Sequence, residues 1–468
     1  MNAADTFAAL PSEWPESLLP KIAETVRESN SKLVVLDDDP TGTQTVHDIP
    51  VYTSWDEATL RAALTDEKQV FYILTNSRSL AEPAAAALAQ EIGENLRRAS
   101  GTTGRAFSVV SRSDSTLRGH YPLETDALAK ALDQAFDATL VIPAFFEGGR
   151  YTLDDIHYVK QGDKLVPAAE TPFAQDASFG YKQSNLKAWV EEKTGGKIPA
   201  EQVASISLDD LRNGGPEVVK EKLMALSSSG VCIINAASYR DLEVFVLGLL
   251  QAEAEGKRFL YRTAASFVRT RSGLGERPLL KKQDFDLSAN AGGLVMVGSH
   301  VPLSTQQLNH LLEHSDCLGL ELNVNKLLGD AATKEIDETV NRANAALAAG
   351  KTTVLYTSRN LVKTEGASAN LDIGKRVSDS LTTILQKISI RPKFLIAKGG
   401  ITSSDLATKG LGVRKATVKG QILPGIPVWQ LGKESKFAGL EYIVFPGNVG
   451  DETSLSKAVQ ILNPSDIT

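Results

Sequence analysis

The sequence predicts an α/β protein of two domains, each a largely parallel sheet flanked by helices, with the active site in the cleft between them. Three observations carry this expectation. Short β-rich runs recur along the chain and are continuously apolar rather than alternating, as in strands buried on both faces. Helix-like segments lie between them. A single aperiodic stretch near 270–292, rich in charge and glycine, separates two such series.

The apolar runs are LVVL (33–36), VFYILT (70–75), FSVV (107–110), TLVIP (139–143), VCII (231–234), FLY (259–261), LVMV (294–297), TVLYT (353–357), FLIA (394–397) and YIVF (442–445). Residues 82–98 read as a helix, with Pro83 near its start and alanine filling the interior. Residues 334–349 read as another, closed by Gly350. The break gives domains of 1–275 and 290–468. Residues ~150–200 interrupt the βα rhythm with glycine, aspartate and aromatics, and read as an insertion bordering a site.

Composition narrows the function. A chain of 468 residues with 42% hydrophobic residues can build two cores. Its net charge of -7, without any Lys/Arg-rich run, argues against a nucleic-acid partner. Cys232 and Cys317 form no CxxC pair, the first residues lack a signal pattern, and no run approaches the ~20 apolar residues of a membrane span. The expectation is a cytoplasmic enzyme without a membrane partner; self-association is left open.

The polar clusters follow the strands, where ligands of open α/β sheets bind. In the second half, KGGITSSD (398–405), GSHVPLST (298–305) and PGNVGDE (446–452) each combine glycine with hydroxyl or amide side chains. Gly399 and Gly400 permit close backbone approach to a phosphate, and Thr402, Ser403 and Ser404 precede a helix expected from Asp405. Ser299 lies in the second turn and Ser304 is the expected N-cap, while Gly447 lies in the third. Any one could be an ordinary capped turn; three together favour a nucleotide site. Neither common label fits. Gly350-Lys351-Thr352 has Ala345 where a P-loop needs glycine, and Gly410-x-Gly412 has Lys415 at the third glycine position of a dinucleotide fingerprint.

In the first half, Asp37, Asp38 and Asp39 end the first strand. One could accept a proton from a substrate hydroxyl while another holds Mg²⁺. Arg78, Arg112 and Arg118 suit a carboxylate, and Asp114, Ser115 and Thr116 suit a polyhydroxylated ligand. His157, beside Asp154 and Asp155, is a further candidate for substrate contact. His310, His314 and Cys317 have a zinc-like spacing but no fourth ligand.

Taken together, DDPTG (38–42), SR (77–78), RSDSTLRG (112–119), GSHVPLST, KGGITSSD and PGNVG resemble the four-carbon acid sugar kinase family over almost the whole chain. The resemblance implies an N-terminal domain for the sugar acid, a C-terminal domain for ATP, and phosphoryl transfer to the terminal hydroxyl with Mg²⁺. It places Asp38 or Asp39, Arg78, and the loop Arg112, Ser113, Asp114, Ser115 and Thr116 on the substrate. It places Ser299, Gly399, Gly400, Ile401, Thr402 and Gly447 on ATP. Two departures fall in the substrate half: Thr43, Gln44 and Thr45 follow Gly42 where the family has Gly-Ala and soon an acid, and the 150–200 insertion is long. A nicotinamide-dependent sugar-acid oxidoreductase and a non-catalytic sugar-acid sensor are the competing readings.

Overall fold

The computed structural model describes residues 1–227, 230–359 and 367–466, which form two compact units, Met1–Glu276 and Arg277–Thr468.

The first unit contains β1 (Ser31–Asp37), β2 (Ile49–Tyr52), β3 (Val70–Leu74), β4 (Ala106–Arg112), β5 (Ala138–Ile142), β6 (Arg150–Leu153), β7 (Ile156–Gln161), β8 (Lys164–Pro167), β9 (Ala204–Ile206), β10 (Gly230–Ile234) and β11 (Phe259–Thr263). Eight of them lie in the order β2-β3-β1-β4-β11-β5-β10-β9, and the pairings are parallel. The continuous apolar runs are thus explained: Val34, Phe71, Ile73 and Val109 pack on one face beneath the helices Glu82–Thr103 and Leu123–Leu132. The first of these helices buries Ala85, Ala89, Ile92, Leu96 and Ala99, a single stripe at helical spacing, and ends where Gly104 turns left-handed.

The 150–200 segment has structure of its own. Strands β6, β7 and β8 make a small antiparallel sheet, followed by the helix Leu186–Lys193, which Asn185 caps. Trp189, Leu186 and Val190 bury against Leu117, Tyr121, Val141 and Ile233, so the insertion shares a core with the sheet.

The second unit contains β12 (Leu294–Val297), β13 (Leu318–Leu322), β14 (Thr353–Thr357), β15 (Leu395–Lys398), β16 (Lys415–Leu423), β17 (Ile426–Leu431) and β18 (Glu441–Phe445), ordered β13-β14-β12-β15-β18-β17-β16. The first five are parallel. The β16–β17 hairpin is antiparallel, and β16 alternates half-exposed and buried positions, the pattern of a strand with one covered face. Among the described residues no helix is long and apolar enough to cross a membrane.

Each sheet has a topological switch. In the first, β1 sits between β3 and β4; in the second, β12 sits between β14 and β15. Successive connections leave these central strands in opposite directions, which opens a crevice at their carboxyl ends.

Candidate active site

At the first crevice the chain leaves β1 through Asp37, Asp38 and Asp39. Asp38 is buried, and its Oδ2 accepts a 2.5 Å hydrogen bond from Ser113 Oγ across the switch point. Its Oδ1 is buried with no hydrogen-bond partner. Asp39 caps the short turn Pro40–Thr43, accepting from Thr41 N at 2.8 Å and Thr41 Oγ1 at 2.5 Å. Arg78, carried on the Ser77–Ser79 turn after β3, is hydrogen-bonded to Asp39, with Asp114 at 3.5 Å and Asp38 at 4.0 Å. Burial works to raise the Asp39 pKa, but Arg78 and the two bonds from Thr41 hold it below the usual carboxylate range. Asp114 is likewise pulled down, against its burial, by Arg78 and Arg118.

The structure brings Asp38, Asp39, Arg78 and Asp114 together, but sets Arg112 apart. Its guanidinium is buried against Asp37 at 3.3 Å, at the base of the cluster. Burial pushes Asp37 up to about 8 while Arg112 opposes and Asp38 and Asp39 reinforce the rise.

The loop 113–119 is held from behind. Arg262 donates to Asp114 O at 3.3 Å and Arg118 O at 2.9 Å; Tyr181 Oη donates to Thr116 O at 2.8 Å. His157, a candidate for substrate contact from its acidic neighbours, has both ring nitrogens engaged within the protein. It is wholly buried, with Nε2 2.7 Å from Ser115 O and Nδ1 3.0 Å from Thr152 Oγ1. Burial drives its pKa down to about 4, so the neutral ring bridges insertion and loop. Ser113 is spent on Asp38, Thr116 Oγ1 bonds Asp114, and Ser115 is nearly buried.

Asp38 also lines a small internal cavity with Thr75, Ser77, Ser111 and Glu124. Burial raises Glu124 to about 7, and the negative charge of Asp38 adds to the effect. The sequence reading missed Glu124 and Arg262. Arg262 had a signal: it interrupts the apolar run FLYRT one residue before a strand end. Glu124, in a charged helix start, had none.

At the second crevice three turns meet. A Cβ added to Gly399 would lie 3.0 Å from Ser299 Cβ and 3.1 Å from Thr402 Oγ1, and one on Gly447 would lie 3.1 Å from Ser299 Oγ. Ser299, Gly399, Thr402 and Gly447 therefore converge, with Gly400 and Ile401 opening the adjoining helix. That helix runs Gly400–Asp405 rather than starting at Asp405, because Gly399, at φ 120°, turns the chain into it at once. Ser403 is consequently turned inward, donating to Ala397 O and Gly399 O, each at 2.7 Å. Ser304 is not an N-cap either. Val301 occupies that position and Pro302 the first turn; Ser304 Oγ lies buried 3.1 Å from Ser299 Oγ and 3.0 Å from Gly447 O.

Two cations brace these turns. Lys398 is fully buried and donates to Pro446 O at 2.6 Å and Gly447 O at 3.2 Å, with burial lowering its pKa to about 7. Arg359 donates to Ser299 O at 2.7 Å. His310 and His314 stack on each other, and His310 Nδ1 lies 2.8 Å from Ser456 Oγ; no three-residue metal-binding group occurs among the described residues.

Two family models match the chain, a sugar-binding N-terminal domain over residues 33–271 and a nucleotide-binding C-terminal domain over residues 294–455. The chain belongs to the four-carbon acid sugar kinase family. Named relatives of this kinase family include a D-threonate kinase of Salmonella typhimurium, 24% identical, with 92% of this chain and 97% of the relative covered. A 3-oxo-tetronate kinase of Cupriavidus necator is 26% identical, with 77% and 80% covered. Solved structures agree in fold: a Haemophilus influenzae protein matches with a TM-score of 0.60 at 18% identity, covering 92% of this chain and 100% of its own. A Salmonella typhimurium protein described as a putative tRNA synthase matches with a TM-score of 0.64 at 17% identity, covering 91% and 98%. At such identity the likeness concerns the fold alone.

The residues of this acid sugar kinase fit a nucleotide phosphate. Gly399 and Gly447 place no side chain between the backbone and two hydroxyls, Ser299 and Thr402, in turns braced by the buried Lys398 and the half-buried Arg359. For Mg²⁺ the donor set is different. The aspartates of the first unit are bonded to arginines and hydroxyls, so a divalent ion fits as the counter-ion of the nucleotide phosphates.

Proposed function

We propose that this chain transfers the γ-phosphoryl group of ATP to the terminal hydroxyl of a four-carbon sugar acid. The first unit supplies the acceptor and the second the donor. One observation carries the reading: Asp38 stands at a switch point with one carboxylate oxygen fixed by Ser113 and the other without a hydrogen-bond partner.

An ionised carboxylate so held can accept the hydroxyl proton as the oxygen attacks phosphorus, while Ser113 keeps it oriented. Asp39 is less suited to the task, since Thr41 and Arg78 occupy its oxygens. Arg78 and Asp114 present alternating charge to a polyhydroxylated molecule, and Ser115 and Thr116 shape the adjoining backbone. Arg112 acts through Asp37 at the base of the cluster. Ser299, Gly399, Gly400, Thr402 and Gly447 surround the phosphates, and the exposed Ile401 offers an apolar face to the nucleotide. Mg²⁺ bound with ATP would supply neutralisation of the phosphate charge.

The dehydrogenase and sensor readings gain nothing from this geometry, and relatives named as kinases over most of the chain weigh against both. The test is Asp38→Asn in an ATP-coupled assay with four-carbon sugar acids. The expected loss in kcat is about 10²–10⁴-fold, with ATP binding retained. Wild-type turnover in the variant refutes the assignment.

A further inference from the structure

We infer that Arg150 is the residue that binds the carboxylate of the acid substrate. This rests on the sugar-acid reading above but names a group that neither the motifs nor the relatives assign.

The argument is an account of positive charge around the 113–119 loop. Arg78 faces three aspartates. Arg112 lies 3.3 Å from Asp37. Arg118 bonds Asp114 through Nε at 2.7 Å and lies 3.5 Å from Asp176 through Nη1. Arg262 is buried, and its guanidinium is spent on the carbonyls of Thr263, Asp114 and Arg118. Among the described residues Arg150, unlike Arg78, Arg112 and Arg118, has no carboxylate partner, and unlike Arg262 it reaches a single carbonyl. Nη1 donates only to Gly148 O, and Nε is buried with no acceptor.

Its position is fixed and close to the others. Arg150 opens β6 at the end of the loop that follows β5, and its backbone pairs with Phe145 at 2.9 and 3.2 Å. Its guanidinium lies 5.7 Å from the centroid of Phe173, and that of Arg118 lies 5.2 Å from the same ring. Two guanidiniums against one ring repel each other, and Asp114, already bonded to Arg118, only partly relieves them. Burial and Arg118 both act against the charge on Arg150. A partly buried cation without a carboxylate partner gains most from an arriving anion. A planar carboxylate answers the guanidinium fork with two parallel hydrogen bonds, which a neutral sugar alcohol cannot do. Arg150 thus supplies the preference for an acid.

The experiment compares wild-type, Arg150→Gln and Arg150→Lys proteins on a four-carbon sugar acid and on erythritol or threitol, with ATP. Losing a charge-assisted pair raises the KM for the acid by about 10–100-fold in Arg150→Gln. The KM for ATP and the rate with the neutral polyol should stay within about twofold, and Arg150→Lys should recover part of the loss. Equal KM values for the acid in wild type and Arg150→Gln overturn the inference, as does an equal rise for acid and polyol. Thermal shifts by the sugar acid without ATP give a readout independent of turnover. A shift in wild type that Arg150→Gln abolishes supports the carboxylate site even if no phosphorylation occurs, in which case only the kinase reading falls. No shift and no turnover with any sugar acid overturn both.

Discussion

Gly399 offers a test of the nucleotide cradle. In Gly399→Ala the new methyl must sit 3.0 Å from Ser299 Cβ and 3.1 Å from Thr402 Oγ1, well inside the 3.5–4.0 Å at which such atoms rest. The backbone there, at φ 120°, adds strain of about 1–3 kcal/mol for a residue with a side chain, and the overlap adds about 1–3 kcal/mol more if nothing moves. Relief requires Ser299 or Thr402 to shift, and both are proposed phosphate contacts. The affinity for ATP should therefore fall at least tenfold, equivalent to about 1.4 kcal/mol. Gly412→Ala is the control. Gly412 is also left-handed, at φ 65°, but an added Cβ meets nothing within 4 Å, so it carries strain without displacing either hydroxyl. Calorimetric titration of both variants with an unreactive ATP analogue, beside thermal melts, separates the two effects. If Gly399→Ala binds the analogue as wild type does while losing no more stability than Gly412→Ala, the turns are structural and the cradle is misassigned.

Three further outcomes are expected. Ser113→Ala removes the bond that orients Asp38, and should lower kcat by about tenfold while leaving the KM for ATP unchanged; steady-state kinetics decide, and an unchanged kcat counts against Asp38 as the base. Glu124 keeps its proton up to about 7 in the folded protein but releases it near 4.5 when unfolded. Between those values the folded state binds more protons, so stability falls as pH rises; urea melts at pH 5 and pH 7 should show a smaller fall in Glu124→Gln than in wild type, and equal falls refute the assignment. Lys398→Met leaves the carbonyls of Pro446 and Gly447 without their buried donor, which costs about 1–3 kcal/mol. Its melting temperature should drop, and its KM for ATP should rise more than that for the sugar acid; the reverse order would detach the 446–447 turn from nucleotide binding.

Much of the architecture was legible because the buried strands announce themselves. Runs such as VFYIL and LVMV are apolar throughout, and their burial on both faces is the physical reason. The hairpin of β16 and β17 escaped a search for continuous runs, since KATVKGQIL buries only alternate residues. Strands β6 to β8 escaped because Arg150, Asp154, Asp155 and Lys160 obscure any period in so small a sheet. The strand-end clusters located the loops that converge at each crevice, for loops at carboxyl ends need glycine and polar side chains. What the sequence could not convey was which charges cancel. Asp37 with Arg112, and Asp39 with Arg78, are pairings between strands distant along the chain, and only their three-dimensional arrangement shows that Asp38 Oδ1 lacks a hydrogen bond and that Arg150 lacks a carboxylate partner among the described residues.

The bridge from His157 to Ser115 has a consequence for divergence. In the proposed reading the chemical step belongs to the carboxyl ends of the first unit's parallel strands, whereas the loop beside it is held by a separate, inserted tongue. Mutations accumulating in that tongue can reshape which acids are admitted without disturbing the base or the phosphate donor, so selectivity and turnover are free to evolve on different stretches of the polypeptide.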